Sequence, residues 1–191
     1  MAGHTQHRQR GFSLVEVLFA LVVLSVAVSG LAHLFTVAAY TNARARATTY
    51  AAVLAQQKME QLRGLAYGFE PGGGAVTDVD TDLTVQPELP AGGAGLRSSP
   101  PGALAANTVG YVDYVDAGGA SLGGAAAVPP PGTAYVRRWS VEPLPSSANT
   151  VVLQVLVKRA RPGDAADNRI GPGGRSAEQT RLVSVKTRKA P

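Results

Sequence analysis

The stretch RQRGFSLVEVLFALVVLSVAVSGLAHLFTVAAY, residues 8–40, decides how this chain is read. From Val17 to Ala39 it runs for 23 residues without an Asp, Glu, Lys or Arg. A helix rising about 1.5 Å per residue covers the ~30 Å hydrocarbon core of a bilayer over that run. One carboxylate, Glu16, stands at its head, directly behind a short leader carrying Arg8 and Arg10. Placing such a charge in hydrocarbon costs about 2.5–3.5 kcal/mol even on lenient insertion scales, so Glu16 calls for a reason.

The apolar run exceeds the roughly 7–15 residues of an ordinary secretory signal. AVSG (Ala27 to Gly30) nevertheless offers small residues where a signal peptidase would cut, and a secreted domain starting near Gly30 is one alternative. Orientation is not set by flanking charge, because Arg8 and Arg10 on one side face Arg44 and Arg46 on the other. Ser25, Ser29 and Gly30 allow close approach of neighbouring helices. His33, near the far end, reads as a packed or interfacial polar group, with proton carriage the alternative.

After Tyr40 the chain turns amphipathic with no helix breaker. Ala47, Ala51, Leu54, Ala55, Met59, Leu62 and Ala66 recur at three- and four-residue steps, one helical stripe, and Arg44, Arg46, Lys58, Glu60 and Arg63 are assigned away from it. The expectation is one helix from Phe12 to about Tyr67, ended by Gly68 and Pro71. Such a helix is far longer than a bilayer requires, so its second half must pack on something else. Strands are expected at Val76–Val85, Val109–Val115, Tyr135–Val141, Val151–Arg159 and Arg181–Lys189, with Trp139 against the helix stripe. The result is an α+β architecture, a long helix laid on an antiparallel sheet. Three Gly/Pro-rich segments, beginning at Glu70, Glu88 and Asp116, are expected as mobile surface loops.

Composition closes off several kinds of chemistry. The 191 residues include no Cys, which excludes disulfides and thiolate catalysis, and the three His are His4, His7 and His33. With no His beyond the apolar run, the common nucleophile–base arrangements are missing, and an enzyme is not expected. Asp78, Asp80 and Asp82 at two-residue spacing are weak candidates for a hard cation such as Ca²⁺, although the twelve-residue loop pattern with Gly and a distant Glu is absent. Net charge is +5, unevenly spread: residues 70–149 hold eight acidic and three basic side chains, residues 150–191 three and nine. Lys158, Arg159, Arg161, Arg181, Lys186 and Arg188 are therefore weak candidates for nucleic acid, without interleaved aromatics to strengthen them.

RGFSLVEVLFALVVLSV (Arg10 to Val26) closely resembles the class III signal of type IV pilins and type II secretion pseudopilins. In that family a prepilin peptidase cuts on the cytoplasmic side after the Gly of a short basic leader. The new N-terminus, usually Phe, is N-methylated, and Glu occupies the fifth mature position. The resemblance implies a leader at 1–11 ending in Gly11, Phe12 as the methylated terminus, and Glu16 as the assembly carboxylate. It further implies a membrane and assembly half of the helix at 12–40, an amphipathic half at 41–68 and a sheet domain at 69–191. The implied partners are the peptidase/N-methyltransferase, other pilins or pseudopilins and an inner-membrane assembly platform. YVRRWSV, VVLQVLVKR and RLVSVKTRK resemble the C-terminal sheet of minor pilins. Alternatives are a competence-type DNA-binding minor pilin and an uncleaved single-span protein.

The resemblance gives Glu16 its reason. An α-amine freed at Phe12 is cationic below about 7.7–8.0. In the family's filaments the Glu of one subunit meets the terminal amine of a neighbour, so each charge neutralises the other where either alone would be costly.

Overall fold

The structure, a computed structural model, describes residues 11–160 and 179–188. Arg161 lies outside them. The chain divides into two units, the first reaching Ala43 and the second beginning at Arg44. Helix α1, Leu14–Gly64, supplies the first unit and the opening of the second. Ser13 starts it: its Oγ accepts the Glu16 N–H at 3.2 Å, and its carbonyl accepts the Glu16 and Val17 N–H groups. The Ser-x-x-Glu spacing is that of a capping box.

In the second unit the stripe of α1 is Ala47, Ala51, Leu54, Ala55, Lys58, Met59 and Leu62, all buried. Its alanines let the helix lie close to a sheet, while burying Leu54, Met59 and Leu62 contributes about 1.5–3 kcal/mol each. That sheet has four antiparallel strands in sequence order: β3 Val112–Val115, β4 Tyr135–Leu144, β5 Ser147–Arg159 and β6 Gln179–Thr187. Trp139, Val141, Leu153, Val155 and Val157 meet the helix stripe in one core cluster. Two-residue alternation then sends Val112, Tyr114 and Val136 to the other face, where they form a second cluster. The α+β expectation, helix on antiparallel sheet, describes the molecule.

Boundaries differ from expectation in ways with physical causes. The helix ends at Gly64 rather than Tyr67, because Tyr67–Phe69 (β1) pairs with Ala75–Thr77 (β2) as a separate hairpin. Lys186 of β6 takes over the helix end, its Nζ donating to the carbonyls of Leu62, Arg63 and Leu65 at 3.2, 2.6 and 2.5 Å. A cation there also suits the helix dipole. The strand expected over Val76–Val85 stops at Thr77. Asp78 Oδ1 accepts the Thr81 N–H (3.1 Å) and Asp82 Oδ1 the Thr84 N–H (2.9 Å), local turns that outcompete a ladder. β3 starts at Val112 rather than Val109; β4 and β5 run further than expected, to Leu144 and back to Ser147.

The Gly/Pro-rich segments are only partly at the surface. Residues 70–74 are exposed, whereas Leu96 and Ala103 of the second segment are buried in the main core beside Leu83. Tyr111 and Tyr114 hydroxyls donate to loop carbonyls of Arg97 and Ala126, each at 2.9 Å. Glycine here serves close approach. A Cβ on Gly124 would fall 2.0 Å from the Val112 carbonyl oxygen, and one on Gly93 2.3 Å from the Asp82 Cα.

Candidate functional site: the N-terminal motif and a buried ion cluster

In the first unit nothing among the described residues covers the apolar helix. Phe12 is 82% exposed, and Leu18, Val22, Leu31 and Phe35 are all more than half exposed. The helix is long and apolar enough to cross a membrane. Its few hydroxyls are closed onto their own backbone: Ser25 donates to the Leu21 carbonyl and Ser29 to that of Ser25, both at 2.8 Å, and Thr36 to that of Ala32 at 3.0 Å. Satisfied hydroxyls remove the penalty for bare polar groups in hydrocarbon. Gly30 has open space where a Cβ would stand. Glu16 is exposed in the first turn, where negative charge suits the positive end of the helix dipole. Gly11 and Phe12 precede the helix and are exposed, so the Gly11–Phe12 bond lies outside the first turn.

Residues 6–32 match the family model for the prokaryotic N-terminal methylation motif. The chain carries a type IV pilin-like leader. No curated protein and no solved structure matches the chain. The motif supports a type IV pilin-like or pseudopilin-type protein, and the family that carries this motif is structural rather than enzymatic. It implies processing by a prepilin peptidase and assembly with other pilins in general. The apolar helix is consistent with single-pass membrane anchoring. The helix-plus-antiparallel-sheet arrangement is like that of type IV pilins.

The second unit holds a cluster that pattern reading missed. Lys58, assigned from its charge to the solvated side, is fully buried on the helix stripe, one turn past Leu54 and Ala55. Its Nζ lies 2.6 Å from Asp113 Oδ2, donates to the Leu83 carbonyl, and sits 4.5 Å over the Trp139 ring. Asp113 and Arg137 are cross-strand partners of β3 and β4. The Arg137 guanidinium grips the Asp113 carboxylate with two bonds, at 2.7 and 2.8 Å, and reaches Gln57 Oε1 at 3.1 Å. Two cations thus share one carboxylate out of contact with water. Burial pushes the Lys58 ammonium down to about 8, against the pull of Asp113, with Arg137 adding to the push. The signal available in sequence was Lys58's spacing, which puts it on the stripe whatever its charge.

The three aspartates are not drawn together. Asp80 pairs with Arg97 at 3.2 Å. Asp78 and Asp82 cap their own turns, and among the described residues no group of three acidic or His side chains could hold a metal ion. Burial pushes the Asp78 carboxyl up, but bonds from the Thr81 hydroxyl and the Thr81 and Asp80 amides outweigh it and hold the group below its ordinary value.

The basic candidates are likewise divided. Lys186 is spent on the helix end. Arg188 donates to the carbonyls of Gly68 (3.2 Å) and Val76 (2.7 Å) and stacks 4.2 Å over the Tyr67 ring. Arg181 donates to Gln154. Strand alternation places Lys158 and Arg181 on the face away from α1, and Arg159 and Lys186 on the face toward it. They do not form one patch.

Proposed function

We propose that the chain is a minor pilin or pseudopilin, a low-copy structural subunit held in the bacterial inner membrane and assembled into a filament of a type IV pilus or type II secretion system. A prepilin peptidase cuts after Gly11, Phe12 becomes the N-methylated terminus, and Glu16 pairs with the terminal amine of a neighbouring subunit. The observation that carries this reading is the contiguity of a basic leader, Gly11, Phe12 and Glu16 at the head of an uncovered apolar helix. A carboxylate with no covering partner among the described residues fits a contact made by another subunit, and the terminal amine is a cation of matching chemistry. The protein acts as a substrate of its processing enzymes and has no chemistry of its own. Arg159, Arg181, Lys186 and Arg188 favour no nucleic-acid role, since two of them hold the helix end and the hairpin.

The deciding measurement is the intact mass and N-terminal residue of the membrane-extracted protein, with and without its prepilin peptidase. The expected result is a chain beginning at methylated Phe12 only when the peptidase is present. A chain that keeps Met1 in both hosts, or one that starts near Gly30, overturns the proposal.

A further inference from the structure

The two edges of the four-stranded sheet are finished differently. At the β3 edge the chain folds back on itself. Tyr114 N–H donates to the Gly123 carbonyl at 3.0 Å, Leu122 N–H donates to the Tyr114 carbonyl at 2.8 Å, and Val115 bridges Ser121. The outward backbone groups of Tyr114 are thereby paired within the chain. At the other edge β6 pairs with β5 alone: among the described residues no strand is hydrogen-bonded to its far side, and β1 comes close to it without pairing. Its Val183 and Val185 are 60% and 61% exposed on the face away from α1. An open strand edge bearing apolar side chains is a template for pairing, and folded proteins ordinarily cover or charge such edges.

Beside β6 runs a groove of about 850 Å³, lined among others by Tyr67, Phe69, Pro71, Val76 and Val185. Charge at this edge is predominantly positive. Residues 179–188 contain Arg181, Lys186 and Arg188 and no Asp or Glu, and Arg63 borders the same groove, with Glu60 paired to it at 3.2 Å. Two β6 strands brought together would therefore set cation against cation, which disfavours a second copy of this chain.

We propose that β6 and its groove form a docking edge for an extended acidic strand of another polypeptide. The incoming strand pairs with the free β6 backbone, sets apolar side chains on Val183 and Val185 and one larger side chain in the groove, and offers carboxylates to the cationic rim. Backbone bonds of this kind give affinity, while the groove and charge give selection. The surface is independent of the N-terminal motif and stands whether or not the leader is cut.

The test uses the full chain in detergent and two blocked, fluorescent heptapeptides, Glu-Val-Glu-Phe-Glu-Val-Glu and its Lys-for-Glu counterpart, followed by anisotropy. The acidic peptide is expected to bind and the basic one not, with binding weakened tenfold or more by Val183→Asp and by Arg63→Glu, since strand alternation turns the peptide's carboxylates to the face toward α1 on which Arg63 lies. Val53→Asp, an exposed change on α1 away from the groove, leaves it unaltered. Because Val183 and Arg63 are both exposed, either variant serves if the other unfolds. Equal binding of the two peptides, binding of neither, or indifference to both variants overturns the proposal. So does a disulfide-linked homodimer of Val183→Cys, which in a chain without native cysteine reports symmetric self-pairing at this edge.

Discussion

Glu16 and Lys58 are both single charges set into apolar stretches of one helix, and the protein treats them in opposite ways. Glu16 begins an uncovered segment and remains exposed, its backbone capped by Ser13 but its carboxylate turned outward. Lys58 is sealed in the core, with Asp113, the Leu83 carbonyl and the Trp139 ring all supplied by its own chain. A buried charge satisfied within the chain belongs to the fold. A charge stationed on an uncovered apolar surface belongs to whatever covers that surface. The second unit is thus completed internally, while the first presents an apolar surface that, on the proposed function, membrane and neighbouring subunits cover.

The largest effect expected from breaking this contrast is at Asp113. Asp113→Ala leaves Lys58 and Arg137 buried without their shared counterion and should cost about 3–5 kcal/mol. Lys58→Met removes only the surplus cation and leaves the two-pronged Arg137–Asp113 pair intact; it should change stability by about 1 kcal/mol or less. Trp139, the chain's one tryptophan, lies beside the cluster and reports both by fluorescence during denaturant unfolding. Equal losses in the two variants would show that the carboxylate is not the centre of the cluster.

A smaller effect follows from pH. The folded protein gives up the Lys58 proton near pH 8, whereas the unfolded chain holds it to about 10.5. Across that interval the unfolded state binds more protons, so stability rises with pH, by something on the order of 1–3 kcal/mol. Tyr111 and Tyr114 oppose it above about pH 10. Burial pushes both phenols up, Tyr114 to about 12, so the unfolded chain ionises first and stability falls. A maximum between pH 8 and 10 is expected in wild type, and Lys58→Met should flatten its rising limb. A rising limb that survives in Lys58→Met assigns it to another group.

What the sequence made legible divides along the same line. The leader, Gly11, Phe12 and Glu16 are contiguous, and the apolar run is long, so both can be read without knowing what touches what. β4, β5 and β6 are long enough for their alternation to show. The three-residue β1 has no period to detect. The helix end is fixed by Lys186, far along the chain, so no local stop signal marks it. The Asp-rich segment alternates like a strand, and only its side chains' preference for the amides of Thr81 and Thr84 decides otherwise. Glycines at 93 and 124 look like flexibility in composition and act as close contact in space. Lys58's charge points to solvent while its spacing points to the core, and Asp113 and Arg137, which decide between the two, come from distant strands.

The smallest effect tests whether Glu16 owes its place to the helix or to a partner. Ser13 and Glu16 stand in capping-box spacing, so part of the case for an acid at this position is local. Ser13→Ala removes the Oγ that accepts the Glu16 N–H and should cost about 1 kcal/mol of first-turn stability, visible as faster amide exchange at residues 14–17 in micelles. Glu16→Gln preserves the box, since Gln serves at that position, but removes the charge. If the carboxylate is there for a neighbouring amine, Ser13→Ala still enters filaments and Glu16→Gln does not, although Ser13→Ala frays the helix more. The reverse ranking, with assembly following exchange rates, would make Glu16 a capping residue and leave the cost of its charge to the helix dipole alone.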